Sequence, residues 1–248
     1  MAESARIKIG VHPSLEALSQ AAAAWFSDTI SRRIKKTGVA HVCLSGGNTP
    51  QELYRLLATE YSDKISWEKV HFYWGDERYV APTDPHSNFR AAYELLFQHV
   101  PIQPTNVHPM PTGFEDPEMA AADYERVLRE QFDDPFPEFD VVLLGMGADG
   151  HTASLFPGSR SLGETERWVV AVSGGPKPRI RLSLTLSVFN AAANVVFMVA
   201  GAEKADAARM AIECRPNPAA IPASGVRPVA GSVTWMLDED AAKLLKSS

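Results

Sequence analysis

Cysteine is scarce in this sequence, which has only Cys43 and Cys214 among its 248 residues. Two cysteines cannot build a disulfide framework, and their spacing matches no cysteine metal site. Cys43 lies in an apolar run, where a buried thiol is expected. The cysteine content therefore predicts a protein of a reducing, cytoplasmic setting.

Long apolar runs and a surplus of basic residues are also missing. No apolar run approaches the length of about eighteen residues that a membrane helix needs, and the N-terminal segment lacks a hydrophobic signal core, so no membrane association is expected. Lys and Arg number 24 against 30 Asp and Glu, which gives a net charge of −6. This balance predicts no nucleic-acid partner. An acidic protein that binds an anion must instead use a few local cations and backbone N–H groups.

Apolar runs alternate with helical periodicities along nearly the whole chain, which predicts a single α/β domain over residues 1–248 with a mostly parallel sheet covered on both faces. Residues 101–117 are rich in proline and predict a surface loop, in which His108 is expected to be exposed. The predicted strands span residues 6–11, 39–44, 70–74, 141–144, 168–172, 179–186, 194–200 and 232–237, and the predicted helices span residues 14–34, 51–58, 88–99, 119–132, 204–212 and 239–246.

A glycine-rich turn follows the buried strand predicted at residues 141–144. Gly145, Gly147 and Gly150 let the backbone approach a ligand closely, and Asp149 and His151 are held on the same turn. In open α/β sheets ligands bind at this carboxyl end of the strands. The third glycine is misplaced for a dinucleotide-binding G-x-G-x-x-G motif, so nicotinamide binding is not predicted.

A second loop has the pattern of an anion site. It follows the strand at residues 39–44 and precedes a helix expected to begin near Pro50. Backbone N–H groups and the helix dipole at such a helix start favour a negative charge, whereas the Lys-Ser/Thr pair of a nucleoside triphosphate loop is absent. A capped helix after a tight turn is the alternative. The predicted phosphate-binding residues are Ser45, Gly46, Gly47, Asn48 and Thr49.

Charged residues follow the third predicted strand, in a loop expected over residues 75–80. Asp76 and Arg78 are candidates for a polar pocket, and a structural ion pair between them is the alternative. Glu77 is interpreted as solvated, and Asn88 as the N-cap of the next helix.

Together these regions resemble the 6-phosphogluconolactonase family. The resemblance runs through essentially the whole chain in order, and residues 145–158 are its most specific part. The matching stretches are residues 45–50 (SGGNTP), 74–80 (WGDERYV), 87–90 (SNFR), 145–158 (GMGADGHTASLFPG), 178–180 (PRI), 201–204 (GAEK) and 222–224 (PAS).

Glucosamine-6-phosphate deaminases share the same framework and are the main alternative. They carry a Phe-Asn-Glu-Pro motif at residues 154–157, so that Phe156 replaces a glutamate that helps ring opening, and they tend to have tyrosine at Arg78. Asn48 departs from the serine that is frequent in lactonases, but both residues are small and polar. A non-catalytic sugar-phosphate sensor is a third reading, although such a protein would be expected to carry a helix-turn-helix, and none fits before Arg6.

The resemblance implies a Rossmann-like, doubly wound fold with helices on both faces of the sheet and a few extra strands. It also implies hydrolysis of 6-phospho-D-glucono-1,5-lactone to 6-phosphogluconate, the second step of the oxidative pentose phosphate pathway, without a metal or an organic cofactor. The sequence offers no cluster of His and Cys ligands either. It leaves the oligomeric state open.

The lactonase reading gives each candidate residue a role. His151 is the general base, because a neutral imidazole can accept a proton from water, and Asp149 is a candidate to orient or polarise it. Arg179 and Lys204 are expected to clamp the phosphate together with the loop at residues 45–49. Arg78 supports the developing oxyanion or contacts the phosphate. Asp76 holds a sugar hydroxyl or Arg78.

Overall fold

The structure is a computed structural model that describes residues 6–133 and 135–246. Its strands are β1 Arg6–His12, β2 Ala40–Leu44, β3 Val70–Trp74, β4 Asp76–Arg78, β5 Val141–Leu144, β6 Val169–Ser173, β7 Ile180–Leu184, β8 Asn194–Val199 and β9 Ser232–Asp238. Its α-helices are α1 Leu15–Thr37, α2 Thr49–Thr59, α3 Asn88–Leu95, α4 Pro117–Arg129, α5 Leu186–Ala191, α6 Ala205–Glu213 and α7 Glu239–Ala242.

Six parallel strands form the main sheet, in the order β1-β9-β8-β5-β2-β3. The strands β2, β5 and β8 in its interior are almost uniformly apolar and buried. This composition is typical of a parallel sheet whose two faces are both covered by helices. The architecture confirms the predicted α/β class.

The helices begin and end where the local sequence favours it. Ser14 caps α1, since its hydroxyl accepts a hydrogen bond from the Ala17 N–H at 3.2 Å. Gly38 ends the same helix at φ +87°, in the left-handed conformation that glycine adopts without steric cost. Among the helices described, none is both long and apolar enough to cross a membrane.

A small antiparallel sheet, in the order β4-β7-β6, packs beside the main one. It corrects the prediction of a loop at residues 75–80, because Asp76–Arg78 pair with β7 as a strand. The helix α5 follows β7 directly, and no helix was predicted there. The N-cap of α3 is Ser87, whose hydroxyl accepts from the Arg90 N–H at 3.1 Å, and Asn88 is the first helical residue instead.

The strand order reverses between β2 and β5. From β2 the chain crosses to β3 on one side, and β5, β8 and β9 then build the sheet outward on the other side. Connections leave adjacent strands in opposite directions at such a point, so a crevice opens beyond their carboxyl ends. The two glycine-rich loops singled out in the sequence follow these two strands.

Candidate active site

A cavity of about 500 Å³ lies at this edge of the sheet. The strands β2, β3, β5 and β8 all end toward it, because they run parallel in one sheet. Nearly all the candidate residues line it: Ser45, Gly46, Gly47, Asn48, Thr49, Asp76, Arg78, His151 and Lys204. Loops that are far apart in the sequence therefore converge on one space.

The His151 ring lies directly against the backbone of the turn that carries it. A Cβ on Gly147 would stand 2.1 Å from His151 Nδ1, so a side chain at residue 147 cannot coexist with this ring position. The turn is closed by a hydrogen bond from the Gly147 N–H to the His151 carbonyl at 2.9 Å. Thr152 Oγ1 donates to the Gly145 carbonyl at 2.8 Å and ties the turn to the end of β5.

Asp149 contacts the imidazole of His151 directly. Its Oδ1 lies 2.5 Å from His151 Nδ1 and also accepts from the His151 backbone N–H at 3.1 Å. Burial raises the pKa of Asp149, but the hydrogen bonds and the charge of His151 outweigh burial and leave the pKa below its ordinary value. An ionised carboxylate can only accept a hydrogen bond, so Nδ1 carries the proton. In the neutral imidazole Nε2 is then left with a free lone pair, as a general base requires.

The anion loop, residues 45–49, is fixed from both ends. Gly47 adopts φ +87°, which turns the chain into α2, and this helix begins at Thr49 with Pro50 as its second residue. The Tyr54 hydroxyl donates to the Ser45 carbonyl at 2.6 Å and anchors the start of the loop to α2. Because residues 45–50 line the cavity, the positive end of the α2 dipole lies beside it.

Two arginines face each other across the small sheet. Arg78 on β4 pairs directly with Arg181 on β7, and both line the cavity. Their Nη groups donate to backbone carbonyls, whereas within the described residues the buried Nε of each has no hydrogen-bond partner. Burial lowers the pKa of Arg181 and the charge of Arg78 acts in the same direction, while the carboxylates of Asp76 and Glu77 act against them. Two neighbouring guanidinium groups whose Nε–H donors have no partner in the described part of the chain favour a bound anion.

Arg181 was missed by the sequence reasoning, which chose Arg179. The structure corrects this choice, because Arg179 is exposed and does not line the cavity, whereas Arg181 is 5% exposed and does. The two residues have the same parity on the predicted strand, so alternation alone could not separate them. The pairing of Arg181 with Arg78 across the sheet is what selects it.

Glu77 is buried, not solvated as predicted. It is 2% exposed, and its carboxylate accepts hydrogen bonds from the Ser87 hydroxyl and from three backbone N–H groups, those of Arg78, Asn88 and Phe89. It therefore fixes the start of α3 and the backbone of Arg78. The alternative of an Asp76–Arg78 ion pair is not what the structure forms, since the Asp76 carboxylate bonds Ser154 and Asn88.

Lys204 occupies the N-cap position of α6, without a capping bond from its side chain, and lines the cavity. Its ammonium lies 4.0 Å from the exposed carboxylate of Glu203. A cation at a helix N-terminus opposes the helix dipole, and a nearby anion would relieve this conflict. Over residues 6–133 and 135–246, no group of three His, Cys, Asp or Glu side chains is arranged to hold a metal ion.

Comparison with known proteins places the chain among related sequences. Residues 13–235 match the family of glucosamine-6-phosphate isomerases/6-phosphogluconolactonase. The chain is 41% identical to the 6-phosphogluconolactonase of a Synechocystis species over 88% of its own length and 89% of the relative's. It is 39% identical to the 6-phosphogluconolactonase of Mycobacterium tuberculosis over 96% of its length and 98% of the relative's.

Solved structures agree with the sequence comparison. The 6-phosphogluconolactonase of Trypanosoma brucei superimposes with a TM-score of 0.87 at 29% identity, covering 98% of this chain and 100% of that one. The 6-phosphogluconolactonase of Leishmania guyanensis gives the same TM-score at 30% identity, covering 97% and 99%. A monomeric glucosamine-6-phosphate deaminase shares the fold at a TM-score of 0.82 and 23% identity. The chain belongs to the glucosamine-6-phosphate isomerase/6-phosphogluconolactonase family.

Proposed function

We propose that this protein hydrolyses 6-phospho-D-glucono-1,5-lactone to 6-phosphogluconate, the second step of the oxidative pentose phosphate pathway. The observation that carries the proposal is the pairing, within one cavity, of an imidazole oriented for base catalysis with an anion-binding helix start. The family membership and the names of the relatives at about 40% identity support the same activity.

His151 acts on the water in the first step. Its Nε2 accepts a proton as the water oxygen bonds to the lactone carbonyl carbon, and Asp149 stabilises the imidazolium that forms. The tetrahedral intermediate then collapses, the bond from C1 to the ring oxygen breaks, and the imidazolium returns the proton to that oxygen. The open-chain acid loses its proton to solvent. A positioned base contributes a factor of roughly 10² to 10⁴ to such a reaction.

The cations divide between the two ends of the substrate. Arg181 lies over the Phe156 ring, 5.6 Å from its centroid, and the same ring lies 4.8 Å from the His151 ring. Arg181 and its partner Arg78 are therefore on the side of the base, where they stabilise the carbonyl oxygen as it gains charge. The anion loop and Lys204 hold the phosphate, through N–H donors and one ammonium.

The substrate is a phosphorylated sugar lactone, and the proposal includes no nucleic-acid partner. The proposal also assigns the enzyme to the cytoplasm, where a reducing environment keeps the buried Cys43 and the exposed Cys214 as free thiols.

Freshly made lactone tests the proposal. Glucose-6-phosphate dehydrogenase and its oxidised nicotinamide cofactor generate the lactone from glucose 6-phosphate. Because that oxidation also releases a proton, the dehydrogenase is removed first, and lactone hydrolysis is then followed as the release of acid above the spontaneous rate. We expect rapid hydrolysis by the wild-type protein and a fall in kcat of roughly 10² to 10⁴ in His151→Ala. Wild-type turnover no faster than the spontaneous rate contradicts the function, and ammonia release from glucosamine 6-phosphate would support a deaminase instead.

A further inference from the structure

Asp76 occupies the junction of the loops that build the cavity. It is the first residue of β4, directly beyond the end of β3, and it is 6% exposed. Its Oδ2 accepts from the Ser154 hydroxyl at 2.6 Å. Its Oδ1 accepts from Asn88 Nδ2 at 3.2 Å, and the same amide nitrogen donates to the Asp76 carbonyl at 2.9 Å. The two carboxylate oxygens thus bind two different segments of the chain.

The Ser154 arm reaches the base. Ser154 lies three residues after His151 and is fully buried, and its backbone N–H donates to Ser183 Oγ at 3.3 Å. Between them, Ala153 adopts φ +48°, a conformation that L-residues other than Asn and Asp rarely take. Such a conformation persists when the surrounding structure holds it, and the bond between Ser154 and Asp76 is a direct restraint on this segment.

The Asn88 arm reaches the anion loop. A Cβ on Gly46 would lie 1.9 Å from Asn88 Oδ1, so the Asn88 amide is packed against the backbone of Gly46 with no space between them. Asn88 is itself 3% exposed and fixed at the start of α3 by the Glu77 carboxylate. The backbone of the anion loop is therefore supported by a side chain whose orientation Asp76 sets.

We infer that Asp76 is a positioning residue, which sets the distance between the His151 base and the anion loop by bonding Ser154 with one carboxylate oxygen and Asn88 with the other. The inference rests on the proposed function, since a lactone held by its phosphate must present its carbonyl carbon to the water beside His151. A displacement of about 1 Å between two such groups can cost roughly 10²-fold in rate. Because both oxygens of Asp76 already have protein donors, a sugar hydroxyl is not needed to explain its burial.

Single-arm variants test the inference. Ser154→Ala releases the base loop alone, and we expect kcat to fall about tenfold with KM within about twofold of wild type. Asn88→Ala releases the anion loop alone, and we expect KM to rise about tenfold with kcat within about twofold. Asp76→Asn replaces one acceptor by a donor, and we expect kcat to fall and KM to rise in the same variant.

Matched controls separate positioning from general loss of packing. Ser19→Ala removes a fully buried hydroxyl in α1 that has no hydrogen-bond partner among the described residues, and Asn106→Ala removes a buried amide that bonds Glu68 away from the cavity. We expect both controls to keep the wild-type kcat and KM, whatever their melting temperatures.

Two results would overturn the inference. The first is that Ser154→Ala and Asn88→Ala keep wild-type kinetics while Asp76→Asn raises KM, because Asp76 then contacts the sugar itself. The second is that the variants lose activity only in proportion to their folded fraction. The wild-type rate tests the function separately. If the wild-type protein shows no activity, the Cε1–H proton resonance of His151 still reports the position of the imidazole. The resonance is assigned by its loss in His151→Ala. It must shift in Ser154→Ala and stay in place in Asn88→Ala.

Discussion

As the proposed general base, the imidazole of His151 depends on the orientation that its neighbours impose. Asp149 Oδ1 lies 2.5 Å from Nδ1, so Nε2 is the ring nitrogen left for a water. In Asp149→Asn the amide can donate to Nδ1, which would leave the proton on Nε2 and remove the base. We expect kcat to fall roughly 10²-fold or more with KM little changed, since the anion loop is untouched. Rates of lactone hydrolysis at several substrate concentrations measure kcat and KM. A rise in KM with an unchanged kcat would contradict the prediction.

Gly147 gives a second residue-level prediction, because the His151 ring occupies the space of its missing side chain. A Cβ there would lie 2.1 Å from Nδ1 and 2.6 Å from Asp149 Oδ1. The ring is partly exposed and can swing toward solvent, so we expect Gly147→Ala to lose most of its activity with only a small change in melting temperature. Gly163→Ala is the matched control, since a Cβ there meets no atom within 4 Å.

At the scale of elements, the start of α2 and Lys204 form the proposed phosphate site together, since both line the cavity. Removing one cation from a charge-assisted contact costs about 1.5–3 kcal/mol, so we expect Lys204→Ala to raise KM for the phosphorylated lactone roughly tenfold to a hundredfold. The unphosphorylated gluconolactone is the control substrate, and its kcat/KM should stay the same. The exposed Lys8 on β1 is the control position for the loss of one positive charge.

Elements with a strong local pattern were predictable from the sequence. The strand at residues 141–144 and its glycine-rich turn were placed correctly, because an apolar run that ends in glycines fixes both the strand and the turn through short-range sterics. The three-residue strand β4 was not, since Asp76, Glu77 and Arg78 carry no strand pattern of their own. They form a strand because β7 supplies hydrogen-bond partners.

The same limit applies to the site. Ser45, His151 and Lys204 follow parallel strands, so their convergence could be predicted from the order of elements along the chain. The selection of Arg181 depends on the pairing of β4 with β7, and the buried state of Glu77 depends on the packing of β4 against the start of α3. That information lies in contacts between distant parts of the chain, and no short window of sequence contains it.

For the molecule as a whole, a group of three histidines outside the cavity links stability to pH. His71 Nδ1 lies 3.1 Å from His108 Nε2, and His41 Nδ1 lies 3.3 Å from the Tyr73 hydroxyl. His108 stacks on Tyr73 with ring centroids 4.5 Å apart and is partly buried, so the expectation that it is exposed was wrong. Arg33 and Asp140 form an ion pair beside this group, and Asp140 accepts from the His41 backbone N–H.

Burial, together with His71, Arg33 and His108, lowers the pKa of His41 to about 4. Burial and His71 lower the pKa of His108 to about 4. Burial also lowers the pKa of His71. In the unfolded chain a histidine titrates near pH 6.5. Between about pH 6.5 and 4 the unfolded chain therefore binds more protons than the native protein, so stability is complete above this window and falls as the pH drops through it.

Urea unfolding at pH 7.5, 6 and 5 measures this effect. We expect the midpoint to fall steadily from pH 7.5 to 5 in the wild-type protein and to fall less in His108→Gln, which removes one of the titrating rings. A midpoint that stays constant over this range would show that the three rings do not resist protonation in the native state.

The pairing of β1 with β9 joins two strands that lie more than two hundred residues apart in the sequence. β1 forms the outer edge of the main sheet beside β9, with Arg6 opposite Ser232 and His12 opposite Asp238. During synthesis β1 is therefore made more than two hundred residues before its neighbour β9 exists. The edge of the sheet that β1 forms can therefore close only after β9 has been made.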